Sequence, residues 1–173
     1  MNEVNFEEIE DAIMGSVNHS LIQAMITSLL VNDDRFTVFT ELSLDVKPHD
    51  LSKYDIKAKD ELKPDICWYS NEIGFQEFDI LKMTEMPLLA IEILSPSQDT
   101  KELKDKIRAY FDLGVKSCWL VIPDVQLISI YAKQGGFKNF DMRDTEVIDE
   151  VMDIHLPIQK VFKRRSKNIQ KVD

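Results

Sequence analysis

Two carboxylates in this chain occupy strand positions where carboxylates are uncommon. Asp65 follows Pro64 at the mouth of a short apolar segment, "PDICWYS". Glu92 lies inside "LLAIEILSPS", an almost continuous apolar run from Leu88 to Leu94 between Pro87 and Ser95-Pro96, with the pattern of a strand buried on both faces. An ionised group in a dry interior is costly unless it is paired, hydrogen-bonded or bound to a metal, so the neighbours of Glu92 must offset its charge. If the two segments are adjacent strands, both carboxylates can converge on one cation, and hard divalent ions such as Mg²⁺ prefer oxygen ligands.

A lysine is the other candidate counter-charge. Lys106 stands three residues after Leu103 and four before Tyr110, at the flank of the apolar face of a helix, from where it can point toward the sheet. The plainer reading is a lysine that lays its stem along apolar surface, or one paired with Glu102 at i,i+4. The slot two residues after Glu92 is aliphatic, Leu94. Glu41 falls on the polar face of a predicted strand; it either reaches a metal directly or through water, or is a solvated strand residue. His19, near the start of the first helix, reads as a surface or capping histidine, with an accessory role as the alternative. Ser95 and Ser97 have no general base beside them in sequence, and "SPS" is read as a strand exit and helix entrance.

The elements that must position these residues follow from periodicity and punctuation. "NHSLIQAMITSLLVNDD" sets Leu21, Ile22, Met25, Ile26, Leu29 and Leu30 at helical spacing, with Asn18 or Ser20 as the cap. "RFTVFTELSLDV" alternates and predicts one strand. "KPHDLSKYDIKAKDELK" reads as a loop, and "NEIGFQEFDILKMTEMP" is mixed, with a turn or short helix. "SPSQDTKELKDKIRAYFDLG" is a helix that starts near Ser97, Asp99 and Thr100 and stops at Gly114. "VKSCWLVIP" and "LISIYAK" form a hairpin through "PDVQ". Strand-like pieces follow near Phe137 to Met142 and Glu146 to Ile148, and "LPIQKVF" is a short closing helix. The order predicts an α/β domain with a mixed β-sheet flanked by helices.

The 173 residues fit a single domain over 1–173, with a flexible basic tail from about 163. No run of about 18 apolar residues predicts a membrane span. The acidic start, "MNEVNFEEIEDAIMG", lacks a secretory pattern, so the expected location is cytoplasmic. Cys67 and Cys118 sit in apolar strand-like segments and are expected as buried free thiols. Trp68 and Trp119 are expected in the core. Net charge is −10, unevenly spread: residues 1–100 carry 7 basic and 20 acidic side chains, residues 101–173 carry 14 and 11. That asymmetry argues against an all-over electrostatic grip on nucleic acid and confines any polyanion contact to the second half. The candidates there are Lys101, Lys104, Lys106 and Arg108, together with "KVFKRRSKNIQK".

The ordered set "KPDICWY", "LLAIEILSPS", "KDKIRAYFDLGV" and "CWLVIPD" resembles the Uma-two family of restriction endonucleases, a branch of the PD-(D/E)XK nuclease superfamily. The resemblance extends to "NHSLIQAMITSLL" and "VIDEVMDIHLPIQKVF" and so covers nearly the whole chain. It implies a restriction-endonuclease-like core and a metal-dependent DNA endonuclease. In that superfamily the PD aspartate and the (D/E)XK acid ligate Mg²⁺, for which Mn²⁺ can substitute, with help from the intervening backbone carbonyl. Carried over, the ligands are Asp65, Glu92 and the carbonyl of Ile93. The superfamily lysine helps orient water and stabilises the charged transition state. Its usual slot is Leu94 here, and the family pattern moves the role to Lys106; Glu102, apart from the resemblance, either orients that lysine or forms an ordinary helix pair with it. A homodimer follows by analogy with enzymes that cut two strands. The competing reading, supported by Leu94 and the acidic first half, is a non-catalytic interaction domain that keeps the nuclease-like fold.

Overall fold

The computed structural model describes residues 15–57, 60–133 and 135–163. The basic tail beyond Lys163, with Arg164 and Arg165, lies outside the described residues, as does the acidic stretch before Gly15.

Helix α1 (Val17–Leu30) leads into β1 (Phe36–Thr40) and a small strand pair, β2 (Leu44–Asp45) with β3 (Glu61–Leu62). Then come β4 (Ile66–Ser70), β5 (Leu89–Ile93), α2 (Thr100–Asp112), β6 (Ser117–Ile122), a 3-10 turn (Pro123–Val125) and β7 (Leu127–Ala132). The described chain closes with β8 (Phe137–Phe140), the hairpin β9 (Glu146–Asp149) and β10 (Ile154–Pro157), and α3 (Ile158–Val161). Six strands form one mixed sheet in the order β1-β4-β5-β6-β7-β8. Within it β5 and β6 pair in parallel, as a strand, crossover helix and strand require, and the other pairs are antiparallel.

Alternation along the central strands sends successive side chains to two cores. Ile66, Trp68, Leu89, Ile91 and Ile93 pack under Ile22, Ile26 and Leu30 of α1. Cys67, Tyr69 and Ala90 face Leu103, Ile107 and Tyr110 of α2 on the other side. Full burial of each large apolar side chain stabilises the fold by about 1.5–3 kcal/mol, so both helices are clamped to the sheet by their apolar faces. Helix α2 is also capped: the Asp99 side chain accepts from the Lys101 N–H at 2.8 Å. Past its end Gly114 adopts φ +102°, a left-handed conformation that glycine takes without a Cβ clash.

Three local expectations need correction. The predicted strand through Leu44 breaks at Glu41, whose φ of +52° turns the chain out of the main sheet so that Leu44–Asp45 pairs with Glu61–Leu62 instead. Glu41 is therefore an exposed turn residue and not part of a strand. The segment read as a loop thus supplies β3, because Leu62 needs an apolar partner and finds Leu44. Helix α1 starts at Val17 after Ser16, which makes no side-chain cap bond, and Asn18 and Ser20 lie within the helix. Packing of the apolar face, more than capping, holds that helix.

Cys67 and Cys118 are buried free thiols, and burial pushes the Cys67 thiol up to about 12. Trp68 and Trp119 are fully buried. Among the described residues, no helix is long and apolar enough to cross a membrane.

Candidate active site

The β4–β5 ladder pairs Ile66 with Ile91, and one further step in that antiparallel register sets Asp65 opposite Glu92. Directly opposed residues of an antiparallel pair project to the same face, so the two carboxylates are brought together by register alone. Asp65 is 2% exposed and Glu92 3%. Asp65 Oδ2 accepts a hydrogen bond of 2.6 Å from the Ile93 N–H, which fixes the aspartate against the end of β5.

Helix α1 contributes two side chains to Asp65. His19 Nε2 lies 3.1 Å from Asp65 Oδ1, an ion-pair distance, yet neither atom takes part in a hydrogen bond among the described residues. Gln23, one turn later, donates from Nε2 to the Asp65 carbonyl at 2.9 Å. The same carbonyl accepts the Glu41 N–H at 3.2 Å, so the Glu41 turn is tied to the site by its backbone.

Helix α2 contributes two more. The Tyr110 hydroxyl donates to Glu92 Oε1 at 2.6 Å, and Lys106 Nζ stands 3.6 Å from Glu92 Oε2. Lys106 and Tyr110 are four residues apart and so share a face, one turn above the other. Burial raises the Glu92 carboxyl to about 7 even though the Lys106 charge opposes the rise. The Glu92 carboxylate in turn holds the Lys106 ammonium above the ordinary lysine value, against a smaller opposing effect of burial. For His19, burial pulls the imidazole down, but Asp65, Glu41 and Glu92 outweigh it and leave the net shift upward.

The sequence-derived residues thus fall into two groups. Asp65, Glu92, Ile93, Lys106 and His19 meet at one place. Glu41 reaches it through its backbone N–H, and Glu102 acts on Lys106 through space while the lysine's ion pair is made with Glu92. His19 is neither a surface nor a capping residue: at 1% exposure it lies on the buried face of α1, in line with Ile22, Ile26 and Leu30. Of the basic residues proposed for α2, Lys101 is paired with Asp55 and Asp105, and Arg108 with Asp105. Gln23 and Tyr110 escaped the sequence reading. Gln23 follows His19 by four and Tyr110 follows Lys106 by four, so the signal was the one-turn spacing from a residue already singled out.

Among the described residues no three His, Cys, Asp or Glu side chains form a group able to hold a metal by themselves. A cation at this site would rest on two carboxylates, completed by main-chain or water oxygens. Two oxygens have capacity for it: Asp65 Oδ1, buried without a hydrogen-bond partner, and Glu92 Oε2, whose contact with Lys106 is the long one. An all-oxygen set of this kind fits a hard divalent ion.

A family model, Uma2, described as "Putative restriction endonuclease", matches residues 3–159. No curated protein matches the sequence. A crystal structure described as that of a putative nuclease belonging to DUF820, from Anabaena variabilis, is similar at a TM-score of 0.66 and 25% identity. The match covers 85% of this chain and 81% of that one.

Proposed function

We propose, for a chain that belongs to the Uma2 family of restriction-endonuclease-like proteins, metal-dependent hydrolysis of phosphodiester bonds in DNA. The observation that carries this reading is the opposition of Asp65 and Glu92 across the β4–β5 ladder with Lys106 at 3.6 Å from the glutamate. Asp65, Glu92 and the Ile93 carbonyl would hold Mg²⁺ or Mn²⁺. The bound ion would supply Lewis acidity to the phosphate and a water of lowered pKa.

The chain's own residues have separable tasks. Tyr110 occupies Oε1 of Glu92 and leaves Oε2 to the longer Lys106 contact, and the Ile93 N–H occupies Oδ2 of Asp65 and leaves Oδ1 facing His19. Lys106, 17% exposed on its side chain, sets a fixed positive charge beside the site, where it would stabilise negative charge that develops on the transferring phosphate. Gln23 and the Glu41 N–H grip the Asp65 carbonyl, and so hold the aspartate's backbone in register. Cutting both strands of a duplex calls for two such sites, and we propose a homodimer as the active form, measurable by sedimentation.

Nicking of supercoiled plasmid under Mg²⁺ or Mn²⁺ tests the reading. Wild type should nick and identically purified Asp65→Ala should not; equal activity in the two would sink it. The alternative, an interaction domain, draws on the near-complete cover of both carboxylates and on Leu94 in the lysine slot. Calorimetry separates the two: Mg²⁺ binding by wild type that is lost in Asp65→Ala supports the metal site, and no binding by wild type favours the alternative.

A further inference from the structure

Beside the carboxylates lies a cavity of about 370 Å³ that the reading above does not use. One wall is the start of α1, Ser16 to His19; another is the turn after β5, Leu94 to Pro96 with Gln98; Pro123 and Asp124 close the far rim. His19 is shared: it lines the cavity, and its Nε2 approaches Asp65, so one residue links the cavity to the aspartate.

Helix α1 has no acidic residue in its first turn, and its N-cap side chain makes no cap bond. The backbone N–H groups of that turn have no intrahelical partner, and the helix dipole adds partial positive charge at the same place. A second observation is independent of the helix. Ser95 is 1% exposed, lines the cavity, and its Oγ has no hydrogen-bond partner among the described residues. Its backbone is fixed: the Ser95 N–H donates to Gln98 Oε1 at 3.1 Å, and the Gln98 N–H returns a bond to the Ser95 carbonyl at 3.1 Å. Ser16 Oγ and His19 Nδ1 are likewise buried without partners. Buried polar atoms left unsatisfied on a rigid frame, around one cavity, mark a place prepared for a ligand with several acceptor oxygens.

We propose that this cavity is a subsite for a backbone phosphodiester of the bound DNA, next along the strand from the phosphate at Asp65 and Glu92. The proposal rests on the nuclease reading. The first-turn amides of α1 and the Ser95 hydroxyl would donate to the non-bridging oxygens. Asp124 on the rim disfavours ligands of higher negative charge, which suits a singly charged diester better than free phosphate. Because the donors are neutral, the subsite grips a backbone even in a chain whose first 100 residues carry 7 basic and 20 acidic side chains.

Two substitutions separate binding from folding. Ser95→Ala removes an unsatisfied buried hydroxyl and should leave the melting temperature equal or higher. Asn18→Asp adds a charge favoured by the helix dipole, so it should stabilise the free protein while repelling a phosphate. Affinity is read by fluorescence anisotropy on short duplexes of unrelated sequence, with Ca²⁺ in place of Mg²⁺ to suppress cleavage. Both variants should bind roughly tenfold more weakly, equally on every sequence, and Ser95→Thr, which keeps the hydroxyl, should bind near the wild-type level. Wild-type affinity in both variants would overturn the subsite and leave the nuclease reading standing. A loss that differs between sequences would replace the phosphate by a base contact. Failure of wild type to bind any duplex would overturn the nuclease reading and the subsite with it.

Discussion

Tyr110 and Glu92 are joined by a 2.6 Å hydrogen bond in which both side chains are buried, so the phenol of α2 fixes one oxygen of a carboxylate carried by β5. Removing that donor leaves the carboxylate short of a partner in a dry environment. Tyr110→Phe should therefore cost about 1–3 kcal/mol of stability at pH 8, where Glu92 is ionised, and less at pH 5. Urea denaturation at the two pH values checks this, and an equal loss at both would remove the charge-dependent part of the argument.

The raised Glu92 pKa fixes a direction for stability against pH. The folded group titrates near 7 and its ordinary value is 4.5, so between those values the native state binds the extra proton. Its contribution is fully present below about 4.5 and is lost as pH rises through 7. Glu92→Gln should flatten that part of the stability profile. Because a divalent cation needs the ionised form, the Mg²⁺-induced rise in melting temperature should grow as pH rises through about 7 and level off above it, and it should vanish in Glu92→Gln. Thermal shift measured from pH 5 to 9, with and without Mg²⁺, reads both effects. A Mg²⁺ response that persists unchanged in the variant would take Glu92 out of the metal site.

Lys106 should matter to rate more than to ground-state binding. At pH 8.5 Lys106→Leu should abolish plasmid nicking with little loss of Mg²⁺ affinity, since a charge placed for the transition state acts mainly on the rate of the chemical step. Leu94 follows Glu92 by two, so a lysine there enters from the same face of the strand. The double variant with Leu94→Lys should recover part of the activity. Recovery falls short of complete because a misplacement of about 1 Å can cost on the order of 100-fold in rate. Full activity in Lys106→Leu would exclude it as the catalytic lysine.

Asp149 is a structural counterpart to the site carboxylates. Fully buried, it accepts from Ser117 Oγ at 2.6 Å, Trp119 Nε1 at 2.7 Å, and the N–H groups of Val151 and Met152 at 3.0 and 3.1 Å. An amide in its place turns one acceptor atom into a donor that must face existing donors. Asp149→Asn should thus destabilise the protein by about 2–4 kcal/mol, read from the urea midpoint, while wild-type Mg²⁺ affinity persists in the folded fraction. A cost near zero would mean that the four donors are satisfied in another way.

Local order determined much of what the sequence by itself made legible. The apolar run around Glu92 had to be a buried strand, Asp99 and Gly114 bounded α2, and the apolar face of that helix set Lys106 at its flank. Each of these depends on spacing within about a dozen residues, where side-chain periodicity and capping chemistry act directly. The tertiary structure decided what depends on distant partners. The β4–β5 register put Asp65 opposite Glu92, the seat of α1 turned His19 and Gln23 toward Asp65, and the approach of α2 gave Lys106 to Glu92 in place of Glu102. Glu41 shows the same division: its alternating neighbours predict one continuous strand, but Leu44 is fully buried only by leaving the main sheet to pair with Leu62. A helix face or a strand register is chosen by the free energy of packing against segments distant along the chain, and no local pattern encodes which of the compatible partners wins.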